Sequence, residues 1–363
     1  MYSYSKYGTR SSSSTTPTIK PSAFPKGPAA TQKPNTNKKP RVVENDFSNQ
    51  YVHARQLSTN YIRNVDLPMD GYPKLQKLKE LKATQVSKHA CKPYGVRVDT
   101  QLIVPTLNKW VNSFSLQFDV IMIGALVENQ FILPLLNLMP LYKLCAKPGF
   151  LFIWTTTSNI KQLTYLLNGD KWNKKFRRSE ELVFVPVDEN SPYFPGDVND
   201  GFYGNAANGN GESLLRRKQW HCWMCITGTV RRSTDADMIH CNVDTDLQIE
   251  HRDVPSPMQG YNNAVPEAIY TVAENFSNSN RRLHIIPCRT GYKLPVKMRK
   301  GWVIMLPDVL VDNFDPIEYE AQIYVKSQVK YKNTTTNGQH KQIAQYLVPQ
   351  TGDIEALRPK SPV

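Results

Sequence analysis

The hydrophobic pattern changes period along the chain, and each change marks an element. Phe118–Ile123, FDVIMI, is apolar on both faces at Val120, Ile121, Met122 and Ile123, the pattern of a parallel strand covered on both sides. A helix is expected over Leu133–Leu144, followed after a loop by a strand over Phe150–Thr155. NIKQLTYLLNG returns to a helical period and ends at Gly169, which suits a helix C-cap. ELVFVPV, HCWMCITGTV, RRLHIIPC and GWVIML read as further strands, and VPEAIYTVAENF as a helix beginning near Pro266. Strands alternating with helices predict an α/β domain with a mostly parallel sheet and right-handed crossovers.

The flanks differ. Residues 1–45 are rich in Ser, Thr, Pro and Lys with few large apolar side chains. They cannot bury enough surface to offset chain entropy and are expected to be a disordered basic tail. Residues 46–112 read as a helical or extended approach segment. Within it Leu75, Leu78 and Leu81 define a short amphipathic helix with a lysine-rich outer face. The main domain is expected over 113–325, carrying a Gly/Asn-rich, acidic surface insertion at 188–213. Beyond Val325 the chain turns polar and reads as a C-terminal tail over 326–363.

Charge sharpens this picture. The formal net charge is +14, and eight Lys or Arg precede the first acid, Glu44. A basic surplus favours polyanionic partners, nucleic acid first, although a solvated tail carries the same composition. The start lacks a continuous apolar core, and no apolar run is long enough to span a bilayer, so neither a signal peptide nor a membrane partner is expected. Six cysteines spread over 363 residues suit a reducing compartment, cytosolic or nuclear. Asn37–Arg41, NKKPR, fits a short nuclear import signal.

Chemistry is expected where the FDVIMI strand ends, because ligands of open α/β sheets bind at the carboxyl ends of strands. That end is Gly124, Ala125, Leu126 and Val127, without acid, base, nucleophile or aromatic face. Four other constellations compete for function. His221, Cys222, Cys225, His240 and Cys241 have a superficial zinc spacing. A strand would point Cys222 and Cys225 to opposite faces, however, so no metal is expected. Asp235, Asp237, Asp244, Asp246 and Glu250 form an acid cluster that neighbouring Arg231, Arg232, Ser233 and Thr234 can satisfy locally. After RRLHII the loop PCRTGYKLPVK has one glycine, Gly291, and a stiff Pro287. That is not a glycine-rich cofactor cradle, so no cofactor is expected. Lastly, cations pair at element ends: Lys174 with Lys175, Arg177 with Arg178, Arg216 and Arg217 with Lys218, Arg231 with Arg232, Arg281 with Arg282, and Lys297 with Arg299 and Lys300. Together with Trp172, Trp220 and Trp302 they suit phosphate contact with base stacking, or an ordinary solvated surface.

FDVIMI, GFLFIW, HCWMCITGTVRRSTDADMIHCNVDTDLQIE, RRLHI and GW occur in an order and spacing that resemble the N6-adenosine messenger-RNA methyltransferase family, from about Phe47 to Ile323. The chain is most similar to the non-catalytic, methyltransferase-like-fourteen branch. DGYPKLQKL, IVPTLN, KFRRSEELVFVPV and LRPKSPV extend the likeness to its yeast members. The resemblance implies a Rossmann-like methyltransferase fold. In catalytic members the strand matching FDVIMI ends in Asp-Pro-Pro-Trp. The carboxylate and a backbone carbonyl orient the adenine amine, and the Trp face holds the extruded base. With Gly124, Ala125, Leu126 and Val127 there instead, it implies a pseudo-methyltransferase that neither binds S-adenosylmethionine nor transfers methyl groups. An active enzyme with a divergent site is the alternative. A heterodimer with a catalytic subunit of the same family is implied, in which this chain stabilises its partner and presents cations to RNA. Arg231, Arg232, Arg281, Arg282, Arg289, Lys297 and Arg299 are the RNA-binding candidates, with salt bridges as the competing role. The yeast likeness implies a nuclear role in mating- and meiosis-linked gene expression, through RNA methylation or beside a DNA-bound transcription factor.

Overall fold

The computed structural model describes residues 67–70, 72–127, 132–186, 193, 219–228, 241, 244–250, 264–291, 294–336 and 339–358. Helix α1 (Pro73–His89) is followed by strand β1 (Tyr94–Arg97), helix α2 (Ile103–Ser113) and strand β2 (Phe118–Ile123). Short helices α3 (Ile132–Leu138) and α4 (Leu141–Leu144) lead into β3 (Cys145–Thr156). Next come α5 (Ile160–Asn168), α6 (Asp170–Asn173), β4 (Arg177–Val185), β5 (Trp220–Thr227) and β6 (Leu247–Ile249). The chain continues through α7 (Glu267–Phe276), β7 (Arg282–Ile285), β8 (Val303–Leu306) and α8 (Pro316–Lys326). It closes with β9 (Gln328–Thr336), β10 (Gln339–Leu347) and α9 (Gly352–Leu357).

Eight strands form one sheet in the order β1-β8-β7-β2-β3-β5-β4-β6. All neighbours are parallel except at β5, which runs against both β3 and β4. Every residue of β2 is buried, as the unbroken apolar run predicts. Phe118, Ile121 and Ile123 face a layer that includes Leu107 and Trp110 of α2, Leu136 of α3 and Leu163 of α5. Val120 and Met122 face the other layer, against Ile269, Val272 and Ala273 of α7. Each such side chain, fully buried, contributes about 1.5–3 kcal/mol relative to exposure. β2 also sits where chain order reverses, with β3 on one side and β7 on the other. Sheets of this kind open their ligand crevice at that point.

Three sequence expectations change. Met139 and Pro140 interrupt the predicted Leu133–Leu144 helix, giving α3 and α4. The approach segment is integral to the domain: β1 pairs with β8, and its Gly95 lies so close to Val311 that an added Cβ would stand 1.9 Å from that carbonyl oxygen. The polar C-terminal segment is not a tail. β9 and β10 form an antiparallel hairpin, and Ile354 of α9 is fully buried with Leu75 and Leu78 of α1. Gly169 does follow α5, but with extended rather than left-handed backbone. The basic tail at 1–45 and the 188–213 insertion lie outside the described residues, apart from Tyr193.

Candidate functional site

The corner between β2 and β7 is held by hydrogen bonds and filled with hydrocarbon. Gly124 adopts φ 97°, a left-handed conformation that glycine takes without steric cost. Its N–H donates to the Ile285 carbonyl at 2.9 Å, and the Leu126 N–H to the Ala264 carbonyl at 3.0 Å. Ala125, Leu126 and Ile286 are buried. The Gly124 carbonyl accepts from His284 Nε2 at 2.7 Å, and His284 Nδ1 lies 2.7 Å from the Tyr270 hydroxyl. A carbonyl only accepts, so Nε2 carries the proton and Tyr270 donates to Nδ1. Burial pushes the His284 pKa down to about 4 and the Tyr270 hydroxyl up, so this chain of bonds is neutral.

The same network continues along one face of α7. Tyr270 stacks edge-on against Trp302, and the indole Nε1 of Trp302 donates to Glu274 at 2.8 Å. Glu274 also receives two bonds from Arg299, which touches Glu267 at 3.2 Å. Arg299 therefore braces α7. Lys297, more exposed, pairs with the same Glu267 at 3.5 Å.

The remaining RNA candidates divide sharply. Arg289 is exposed just past β7 and carries no ion pair among the described residues. Arg281 chelates the buried Asp119 through Nε and Nη2 at 2.7 and 3.0 Å and lies over the Tyr346 ring. Burial works against its charge, but Asp119 outweighs that and its pKa is raised. Arg282 is a correction: it is fully buried and cannot reach RNA in this fold. It shares a strand face with His284, and its Nη1 lies beside Gly301 and Ala90, which the doubled arginine in the sequence did not reveal. Arg231 and Arg232 lie outside the described residues.

No metal centre forms among the described residues. Cys222 packs in one core layer and Cys225 in the other, as strand alternation requires, and burial pushes the Cys225 thiol up to about 12. Cys241 joins the α1–α9 contact. His221 bonds Glu181 at 2.8 Å and Thr157 at 3.0 Å, tying β5 to β4 and to the end of β3. The acid cluster is dispersed: Asp244 pairs with Lys79 of α1 at 2.7 Å, while Asp246 lies near Glu180 with its pKa raised by burial. Asp235, Asp237 and His240 lie outside the described residues.

The structure also assembles a basic, aromatic surface that sequence reading only partly saw. The ammonium groups of Lys147 and Lys175 each lie 4.2 Å from the centre of the half-exposed Tyr142 ring. Arg178 stacks over Trp223 at 4.4 Å, and Arg177 beside it is exposed. Lys174, Lys175, Arg177 and Arg178 were legible as a cluster. Tyr142 and Lys147 were not, because they come from α4 and β3.

A mostly parallel α/β sheet with flanking helices, its strand order reversing at β2/β7, is a Rossmann-like methyltransferase fold. The MT-A70 family model matches residues 125–293. Karyogamy protein KAR4 of Saccharomyces cerevisiae is 51% identical over 319 residues, covering 88% of this chain and 85% of that protein. The N(6)-adenosine-methyltransferase non-catalytic subunit METTL14 of Drosophila melanogaster is 28% identical over 340 residues, 88% of this chain and 72% of that protein. Its Xenopus tropicalis counterpart is 26% identical over 332 residues, 88% and 62% respectively. The chain belongs to the MT-A70 family and is similar to its METTL14-type, non-catalytic members.

Proposed function

We propose that this chain is a catalytically silent subunit of a nuclear N6-adenosine mRNA methyltransferase, pairing with a catalytic relative and helping it hold RNA. The observation that carries this reading is the β2/β7 corner. Methyl transfer to an adenine amine needs an acceptor to orient the amine and a ring to hold the base. The end of β2 offers the hydrogen of Gly124 and the aliphatic side chains of Ala125, Leu126 and Val127. The Gly124 carbonyl, a backbone acceptor at that end, is already engaged by His284.

S-adenosylmethionine does not fit these residues either. Its ammonium, carboxylate and ribose hydroxyls need polar partners, whereas Ala125, Leu126 and Ile286 present buried hydrocarbon. Titration of the purified full-length chain with S-adenosylmethionine should give no saturable heat. Saturable binding at micromolar concentration, or adenine methylation by the isolated chain, overturns the reading.

RNA contact is assigned to the Tyr142–Lys147–Lys175 surface with Arg177 and Arg178, and to Arg231, Arg232, Arg289 and Lys297. Similarity to the karyogamy protein of S. cerevisiae supports a second, compatible role in karyogamy, exercised through RNA methylation or beside a DNA-bound transcription factor. Nuclease treatment before co-purification separates a direct protein interface from an RNA tether. Loss of the catalytic partner after nuclease counts against the direct interface.

A further inference from the structure

At the sheet edge opposite Gly124, the C-terminal ends of α1 and α8 converge on the starts of β1 and β8. Between them lies a groove of about 680 Å3. Ala90, Ala321 and Val325 give its lining an aliphatic patch, Val325 being 80% exposed, beside Ser87, Cys91 and Gln322. Its rim is cationic: Lys88, Lys92, Lys300 and Lys326 line it, against one acid, Glu318. Glu318 is already paired with Lys92 at 2.5 Å. Lys88, Lys300 and Lys326 are exposed and have no ion pair among the described residues.

The two helix ends account for part of this charge. Each helix C-terminus carries roughly half a negative charge, so together they offset about one lysine. A surplus remains, and Arg282 adds to it from behind the lining. Its guanidinium is fully buried, and none of its three nitrogens has a hydrogen-bond partner. Its Nη1 and the Ala90 Cβ lie 3.0 and 3.2 Å from the place where a Cβ on Gly301 would stand, next to the rim residue Lys300. A buried cation is weakly screened, so it raises the potential felt in the groove.

We propose that this groove docks an acidic, amphipathic peptide segment of a partner protein. An apolar side chain of the peptide rests on Val325 and Ala321, and flanking carboxylates meet Lys88, Lys300 and Lys326. The lining favours this occupant over nucleic acid. It contains no aromatic ring on which a base would stack, and no arginine fork for bidentate phosphate contact. An aliphatic patch inside a cationic rim is the complement of a helix face with apolar residues at i and i+3 or i+4. The inference does not depend on the role proposed above.

The test is selection from a randomised peptide display library on the full-length chain. Selections run in parallel on Lys300→Glu/Val325→Asp and on Lys88→Glu/Lys326→Glu, all four side chains being exposed. Wild type should enrich sequences with Asp and Glu around spaced apolar residues. Synthetic copies should bind in a salt-sensitive way, and both variants, melting like wild type, should bind them about tenfold or more weakly. An RNA oligonucleotide should not displace them. The proposal is overturned if no acidic amphipathic sequence is enriched or if a folded variant binds as tightly as wild type. Displacement by RNA with the same dependence on these lysines also overturns it, and reassigns the groove to nucleic acid.

Discussion

His284 shows how one side chain can hold the corner at the end of β2 in place. It is neutral because burial holds its pKa near 4, below its ordinary 6.5. Between those values the unfolded chain binds more protons, so the stability present above pH 6.5 is lost as pH falls toward 4. The full effect is at most about 3 kcal/mol, at 1.36 kcal/mol per pKa unit. His284→Gln, which can keep one bond to Gly124, should flatten the fall in melting temperature across that window. An unchanged pH profile would show that His284 is not the titrating group. Asp119 and Arg281 make the opposite case, a buried charged pair. Asp119 is the second residue of β2, and its partners Arg281 and Ser279 lie at that starting end of the strand, away from Gly124. Arg281→Ala leaves a buried carboxylate uncompensated and should cost about 3–5 kcal/mol in chemical denaturation. A cost below about 1 kcal/mol would place the pair among ordinary surface bridges.

At the scale of elements, the C-terminal segment holds the approach segment to the sheet. The Asn280 N–H donates to the Tyr346 carbonyl at 2.9 Å, tying the hairpin to the chain before β7. α9 then sets Ile354 between Leu75 and Leu78 of α1. Further along the same buried stripe α1 places Lys82 wholly inside, donating to the Asn275 carbonyl at 2.9 Å with its pKa driven far down by burial. Ile354→Ala should cost about 2–5 kcal/mol through the cavity it leaves, and proteolysis should then cut first around α1. If α1 stays protected, α9 is not what secures it. α8 begins on a conventional cap: Asp315 accepts from the Ile317 and Glu318 N–H groups at 3.0 and 2.8 Å. Both signals were in the sequence, an Asp-Pro helix start and Asn337-Gly338 between β-rich runs. Polar composition concealed them, because strands exposed on one face look like loop when read by hydropathy alone.

For the whole molecule, the proposed role divides the surface into a silent corner and charged faces. If RNA lies on the Tyr142 surface, replacing Lys147 and Lys175 with alanine should weaken RNA binding by the complex with its catalytic partner. It should also reduce the slope of log affinity against log salt by about two. Replacing Arg231 and Arg232 together should flatten the slope similarly. An unchanged slope removes the substituted residues from the RNA path.

Periodicity alone was enough to identify the α/β class, the buried β2, α5, α7 and the opposite-facing cysteines of β5. Those features depend on local alternation of apolar side chains, which a linear chain displays directly. The residues at the end of β2 were equally plain, because Gly124, Ala125, Leu126 and Val127 carry no acid, base, nucleophile or aromatic face. Tertiary structure alone decided which cations stay free. Arg281, Arg282 and Arg299 read like Arg289, but Asp119, Glu274 and the packed layers that claim the first three come from distant segments. Charge is written along the chain, whereas availability depends on neighbours that only folding supplies.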